Sequence, residues 1–142
     1  MSAQGLEVID HTVQLTHEWI NEVRDRLDWS SSRDAMRLLR VTLVQLRDHL
    51  GHDETAQLSA QMPLLIRGMF FEGWQPAHTP VRDRKAEHFV TAIEKQVETV
   101  LDWRGPRDIE AVFRTLDNRI SEGEIRDVKA GLPQAIRDMW PD

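Results

Sequence analysis

Trp19, Ile20, Val23 and Leu27 step along the chain by one, three and four residues, the spacing that places side chains on one stripe of an α-helix. Leu39, Thr42, Leu43, Leu46 and Leu50 repeat the pattern. A Ser30-Ser31-Ser32 cluster ahead of them supplies an N-cap, and Gly51 is expected to close that helix. Leu58, Met62, Leu65, Ile66, Met69 and Phe70 form a third and a fourth element, parted near Pro63, because proline is tolerated in the first turn of a helix. No stretch alternates polar and apolar residues with β-branched enrichment for long enough to make a sheet. The periodicity predicts an all-α chain.

The second half repeats the first at an offset of 70 residues. Trp19, Ile20, Val23 and Leu27 meet Phe89, Val90, Ile93 and Val97. Leu46, Glu54, Ala60, Pro63, Ile66, Arg67 and Met69 each meet an identical residue, from Leu116 to Met139. In the second copy Ser121-Glu122-Gly123-Glu124 reads as a capping box, with Glu124 placed to reach back to the Ser121 amide. The first copy keeps Glu54 of that pair, with Asp53 as substitute cap. Repeat one spans about residues 6–72, a helix-breaking join covers 72–80, and repeat two spans about 81–142. Two copies are too few for a solenoid. They are expected to pack face to face about a pseudo-two-fold axis, making residues 1–142 a single domain, a helical bundle with internal duplication.

The 142 residues carry 24 acidic and 18 basic side chains, a net charge of −6. Residues 1–75 sum to −4 and residues 76–142 to −2. Neither half is basic, which argues against a nucleic-acid partner. There are no cysteines, which excludes disulfides, thiolate metal sites and a Cys nucleophile. The longest apolar runs, Met62 to Ile66 and Met69 to Phe71, are far too short to span a bilayer. Met1 to Gln14 lacks the basic start and apolar core of a secretory signal. A cytoplasmic protein without a membrane partner is expected.

Asp10-His11-Thr12-Val13-Gln14 leading into Trp19, and the run from Ala60-Gln61-Met62-Pro63 through Phe70-Phe71-Glu72-Gly73-Trp74, resemble the bacterial domain-of-unknown-function family 2267. Ile120 to Val128, Leu132-Pro133 and Met139-Trp140-Pro141 are similar to that family's second half. The chain departs in carrying Phe70-Phe71 where the family is expected to carry a tyrosine. The resemblance implies an all-helical bacterial cytosolic protein, and supplies neither an activity nor catalytic residues.

Constellations that would carry chemistry are incomplete. His17-Glu18-Trp19-Ile20-Asn21 has Asn21 where a zinc protease needs its second His. The residues three before His17, His49, His78 and His88 are Gln14, Leu46, Gln75 and Lys85, so the Glu-x-x-His pattern of di-iron bundles is missing. His49-Gly51-His52-Asp53 is the best metal candidate and reads as a polar loop, since Gly51 interrupts the helix between the rings. No serine lies in a Gly-x-Ser-x-Gly elbow, and no glycine-rich phosphate loop occurs. No catalytic residue, cofactor or metal is assigned, and the balance leans away from an enzyme. The segment from Asp53 through Phe71 has the outline of a helix-turn-helix, but the helix after Pro63 offers Arg67 and otherwise mainly apolar residues.

Two surface features point to a protein partner. Arg33, Arg37, Arg40 and Arg47 lie along one side of the second helix and would dock an acidic surface. Phe71 and Trp74, with Phe70, concentrate aromatic area at the join, where they fill the seam between the halves or form a contact. The leading expectation is a non-enzymatic interaction module whose partner is another protein or a second copy of itself. The alternative is a small-ligand or metal-binding protein with a pocket at the seam, lined by Phe70, Trp74 and Met139.

Overall fold

A computed structural model describes residues 5–142. Met1 to Gln4, the start of the stretch read above as lacking a secretory signal, lie outside the described residues. The fold is all-helical, with α1 (Glu7–Leu27), α2 (Ser32–His49), α3 (His52–Ser59), α4 (Leu64–Phe71), α5 (Ala86–Val97), α6 (Glu110–Arg119), α7 (Glu122–Gly131) and α8 (Gln134–Arg137). Short 3-10 turns cover Pro76–His78 and Pro106–Ile109. No helix among the described residues is long and apolar enough to cross a membrane.

Local chemistry sets the helix ends. Asp28 turns left-handed at φ 57°, and the Trp29 amide donates to Arg24 O at 3.0 Å, a hydrogen bond that terminates α1 and folds Trp29 inward. Ser31 caps α2 by accepting from the Asp34 amide at 3.2 Å. Gly51 does not take the left-handed closing role expected of it. It is extended, with φ −65°, and precedes α3 as its N-cap, while α2 ends through the extended residue Leu50. Asp53 lies inside α3 and makes no cap. Pro63 and Pro133 stand immediately before α4 and α8, both extended. There their missing N–H costs nothing.

The apolar stripes converge on one buried cluster drawn from both halves of the chain, from Trp19 and Val23 to Phe113, Val128 and Ile136. Each such side chain contributes about 1.5–3 kcal/mol relative to exposure. α2 packs most extensively on α5 and α1, α1 also packs on α6, and α3 lies on α7. The α3–α7 pair is antiparallel. Gln61, just past α3, bonds Ser121 at the start of α7, while the Leu50 side chain ahead of α3 adjoins Gly131 at the end of α7. Trp29 and Trp140, each just past a helix end, lie inside the core. Both are 5% exposed, and the Trp140 ring stacks on Phe113 at 4.4 Å between centroids. The aromatic face offers more burial than the helix end offers hydration.

Polar side chains also tie the halves together. Glu22 of α1 accepts from Arg119 Nε at 2.8 Å and Asn118 Nδ2 at 3.0 Å on α6, and from Arg26 at 2.9 Å on its own helix. Arg104 donates to Leu27 O at 2.9 Å, and Asp102 accepts from the Ser30 amide and hydroxyl at 3.0 Å.

Candidate functional site

The antiparallel crossing of α3 and α7 brings three carboxylates together. Glu124 and Asp127 are three residues apart on α7 and share a face, while Glu54 comes from the first turn of α3. One oxygen from each of the three lies within 4.8 Å of the others. Glu124 is 8% exposed, and Glu54 is half-buried and Asp127 exposed. Oε2 of Glu54 and Oε2 of Glu124 are both buried without a hydrogen-bond partner. Burial, then the close approach and charge of the facing Glu54 carboxylate, then the charge of Asp127, push the Glu124 carboxyl up to about 8. All these influences disfavour the ionised form, so the cluster holds a proton at neutral pH.

Sequence reasoning missed this cluster because the same residues read as helix-capping chemistry. Only half of the expected capping box forms. Ser121 Oγ accepts from the Glu124 amide at 3.2 Å, but the Ser121 amide donates to Gln61 Oε1 at 2.8 Å and the Glu124 side chain faces Glu54 instead. The available signal was Glu54 matching Glu124 at the 70-residue offset.

The four arginines on α2 do not form one strip. Arg33 and Arg37 are exposed. Arg40 is half-buried and pairs with Glu72. Arg47 is 3% exposed, and donates to Asp48 Oδ1 at 2.8 Å, Phe70 O at 2.9 Å and Glu72 O at 2.8 Å. It fastens the end of α4 to α2 and has no surface to offer a partner. The seven-residue step from Arg40 to Arg47 keeps the helix side, but α4 covers that side at Arg47.

At the join, Phe70 is fully buried, and Phe71 and Trp74 are half-buried. Trp74 packs against Phe71 at 5.3 Å and edge-on against His52 at 5.7 Å, and its Nε1 donates to Thr79 Oγ1 at 3.2 Å. His52 Nε2 lies 2.9 Å from Pro76 O and 3.0 Å from Thr79 O, which fastens the join to α3. His49 points elsewhere. It is buried, with Nδ1 donating to Gln45 O at 2.7 Å and its ring 5.7 Å from His88. Burial, outweighing the hydrogen bond to Gln45, lowers its pKa. The two imidazoles of the His49-Gly51-His52-Asp53 stretch thus serve different contacts. Arg67 donates to the carbonyls of Ser59 at 2.9 Å and Met62 at 3.2 Å, clasping the turn before α4.

Most of the exposed apolar side chains lie near two adjoining helix starts. Among the described residues, Leu6, Val8, Ile9, Val13, Leu64, Leu65 and Leu101 are the exposed large hydrophobics. All but Leu101 belong to the start of α1 or of α4. The Leu65 amide donates to Thr12 Oγ1 at 3.0 Å, holding these two helix starts side by side. A separate groove of about 590 Å³ between α2 and α5 is lined by Val41, Val44, Asp83, His88 and Lys95, among others.

No curated protein matches the sequence. The profile of one family, described as an uncharacterized conserved protein (DUF2267), matches residues 16–139, which takes in the stripe beginning at Trp19, the Pro63 and Pro133 turns and all three clustered carboxylates. The chain belongs to the DUF2267 family.

Proposed function

We propose that this chain is a non-catalytic interaction module of the bacterial cytoplasm, built from two tandem helical repeats and binding another protein through the starts of α1 and α4. The observation that carries this reading is the clustering of Leu6, Val8, Ile9, Val13, Leu64 and Leu65 on adjoining helix starts. An apolar patch of this kind is costly to leave in water and marks a contact surface. Leu6, Ile9 and Val13 recur at three and four residues, a ridge that suits the apolar face of a partner helix. Arg33 and Arg37 remain as exposed cations for an acidic partner.

The duplicated architecture is supported by order and packing. At the 70-residue offset α1, α2, α3 and α4 meet α5, α6, α7 and α8. α1 packs on α6 as α2 packs on α5. Arg67 donates to Met62 O, and Arg137 donates to Leu132 O at 3.3 Å, in matching positions.

A photo-crosslinking residue at Ile9, in the cell that makes this protein, tests the reading. A discrete adduct from position 9, absent when the probe sits at exposed Glu98, is expected. The mass of the adduct separates a second copy from a different protein. Adducts from position 37 alone would move the contact to the arginines. None from either position would overturn the interaction module.

A further inference from the structure

We propose that Glu54, Glu124 and Asp127 form a binding site for one hard divalent cation at the crossing of α3 and α7. Their oxygens lie within 4.8 Å of one another. Oxygens sharing an ion at about 2.0–2.6 Å stand roughly 3–5 Å apart, so only small side-chain adjustment is needed. The second observation is the state of the two glutamates. Glu124 is 8% exposed, and both its Oε2 and that of Glu54 are buried with no donor. Buried carboxylates are normally paired with a cation or coordinate a metal, yet among the described residues no Lys, Arg or His bonds either of them. Nearby bases are occupied elsewhere: Arg126 with Glu122, and Lys129 over the Trp140 ring.

The donor set decides the ion. Three carboxylates without nitrogen or sulfur suit magnesium, manganese or calcium, and suit zinc or copper poorly. Exposed Asp127 leaves one side of the cluster open to water, which supplies the remaining ligands and the way in. The crossing is braced by the Gln61–Ser121 pair, so the carboxylates come from two helices held in fixed register. A bound ion would clamp the halves of the chain together at this point.

Chelator-treated protein is titrated with manganese(II), and free ion is followed by its electron paramagnetic resonance signal. One saturable site is expected, weakened at least about tenfold by Glu124→Gln and by Asp127→Asn, and unchanged by Glu122→Gln. Manganese should also raise the melting temperature of the wild type and leave that of Glu124→Gln where it was. Asp127 is exposed, so its variant keeps the test meaningful if Glu124→Gln folds poorly. No saturable binding up to about 1 mM, or equal binding by the variants, would overturn the site and leave the two glutamates sharing a proton.

Discussion

Gln61 and Ser121 grip each other reciprocally: Gln61 Nε2 donates to Ser121 Oγ at 2.9 Å, while the Ser121 amide donates to Gln61 Oε1 at 2.8 Å. The same Oγ caps α7 by accepting from the Glu124 amide. One hydrogen bond across the halves and one helix cap therefore share a single hydroxyl, while the Ser121 amide supplies the second bond across the halves. Ser121→Ala should cost about 1 kcal/mol through the cap, and Gln61→Ala a similar amount. Because the residues act on each other, the double variant should lose about 0.5–1 kcal/mol less than the sum. Urea unfolding of the three variants measures this, and strict additivity would mean the pair is not coupled.

The helices were legible in the sequence because burial follows periodicity: Trp19, Ile20, Val23 and Leu27 are all buried in α1, as their spacing requires. The breaks at Pro63 and Pro133 were legible because proline restricts backbone geometry locally. What the sequence concealed depends on contacts distant along the chain. Arg47 has the same helical phase as its exposed neighbours and differs only in lying under α4. Glu124 satisfies a capping motif, and only the approach of α3 turns its side chain to Glu54. A local pattern cannot say which of two compatible partners a side chain takes.

Arg47 and Arg37 should therefore respond oppositely. Arg47→Met leaves the Phe70 and Glu72 carbonyls without their donor, and should cost about 2–4 kcal/mol. Arg47→Lys should restore little, since an ammonium cannot span those carbonyls and Asp48 together. Arg37→Ala, on an exposed position, should stay within about 0.5 kcal/mol of wild type. Chemical denaturation of the three variants checks the contrast. A folded, fully stable Arg47→Met would show that this side chain is dispensable to the α2–α4 contact.

Glu22 should shape the acid limb of stability. Burial pushes its carboxyl up, but hydrogen bonds from Asn118, Arg26 and Arg119 outweigh that and hold it below the usual 4.5. The folded state therefore releases this proton more readily than the unfolded chain. Its contribution is fully present above about 4.5 and is lost as pH falls through the lower folded value. Glu22→Ala should cost about 1–3 kcal/mol at neutral pH and much less near pH 3. Melting curves of both proteins across that range test this; a penalty unchanged by acid would mean that packing, not charge, is lost.

Glu124 should act in the opposite sense. Its carboxyl is raised from 4.5 to about 8 by burial and by Glu54 and Asp127, so between those values the folded state keeps a proton that the unfolded chain has given up. The stabilisation is complete below about 4.5, declines as pH rises, and levels off above 8. At its steepest the decline is on the order of 1 kcal/mol per pH unit. Glu124→Gln keeps the side chain's shape but cannot ionise. In chelating buffer it should match the wild type near pH 5 and exceed it at pH 8. Subtracting the two stability profiles removes Glu22 and every other group that titrates alike in both proteins. A flat difference would mean that the three carboxylates do not sense one another in solution. A difference that shrinks when manganese is added at pH 8 would show the ion taking over from the proton.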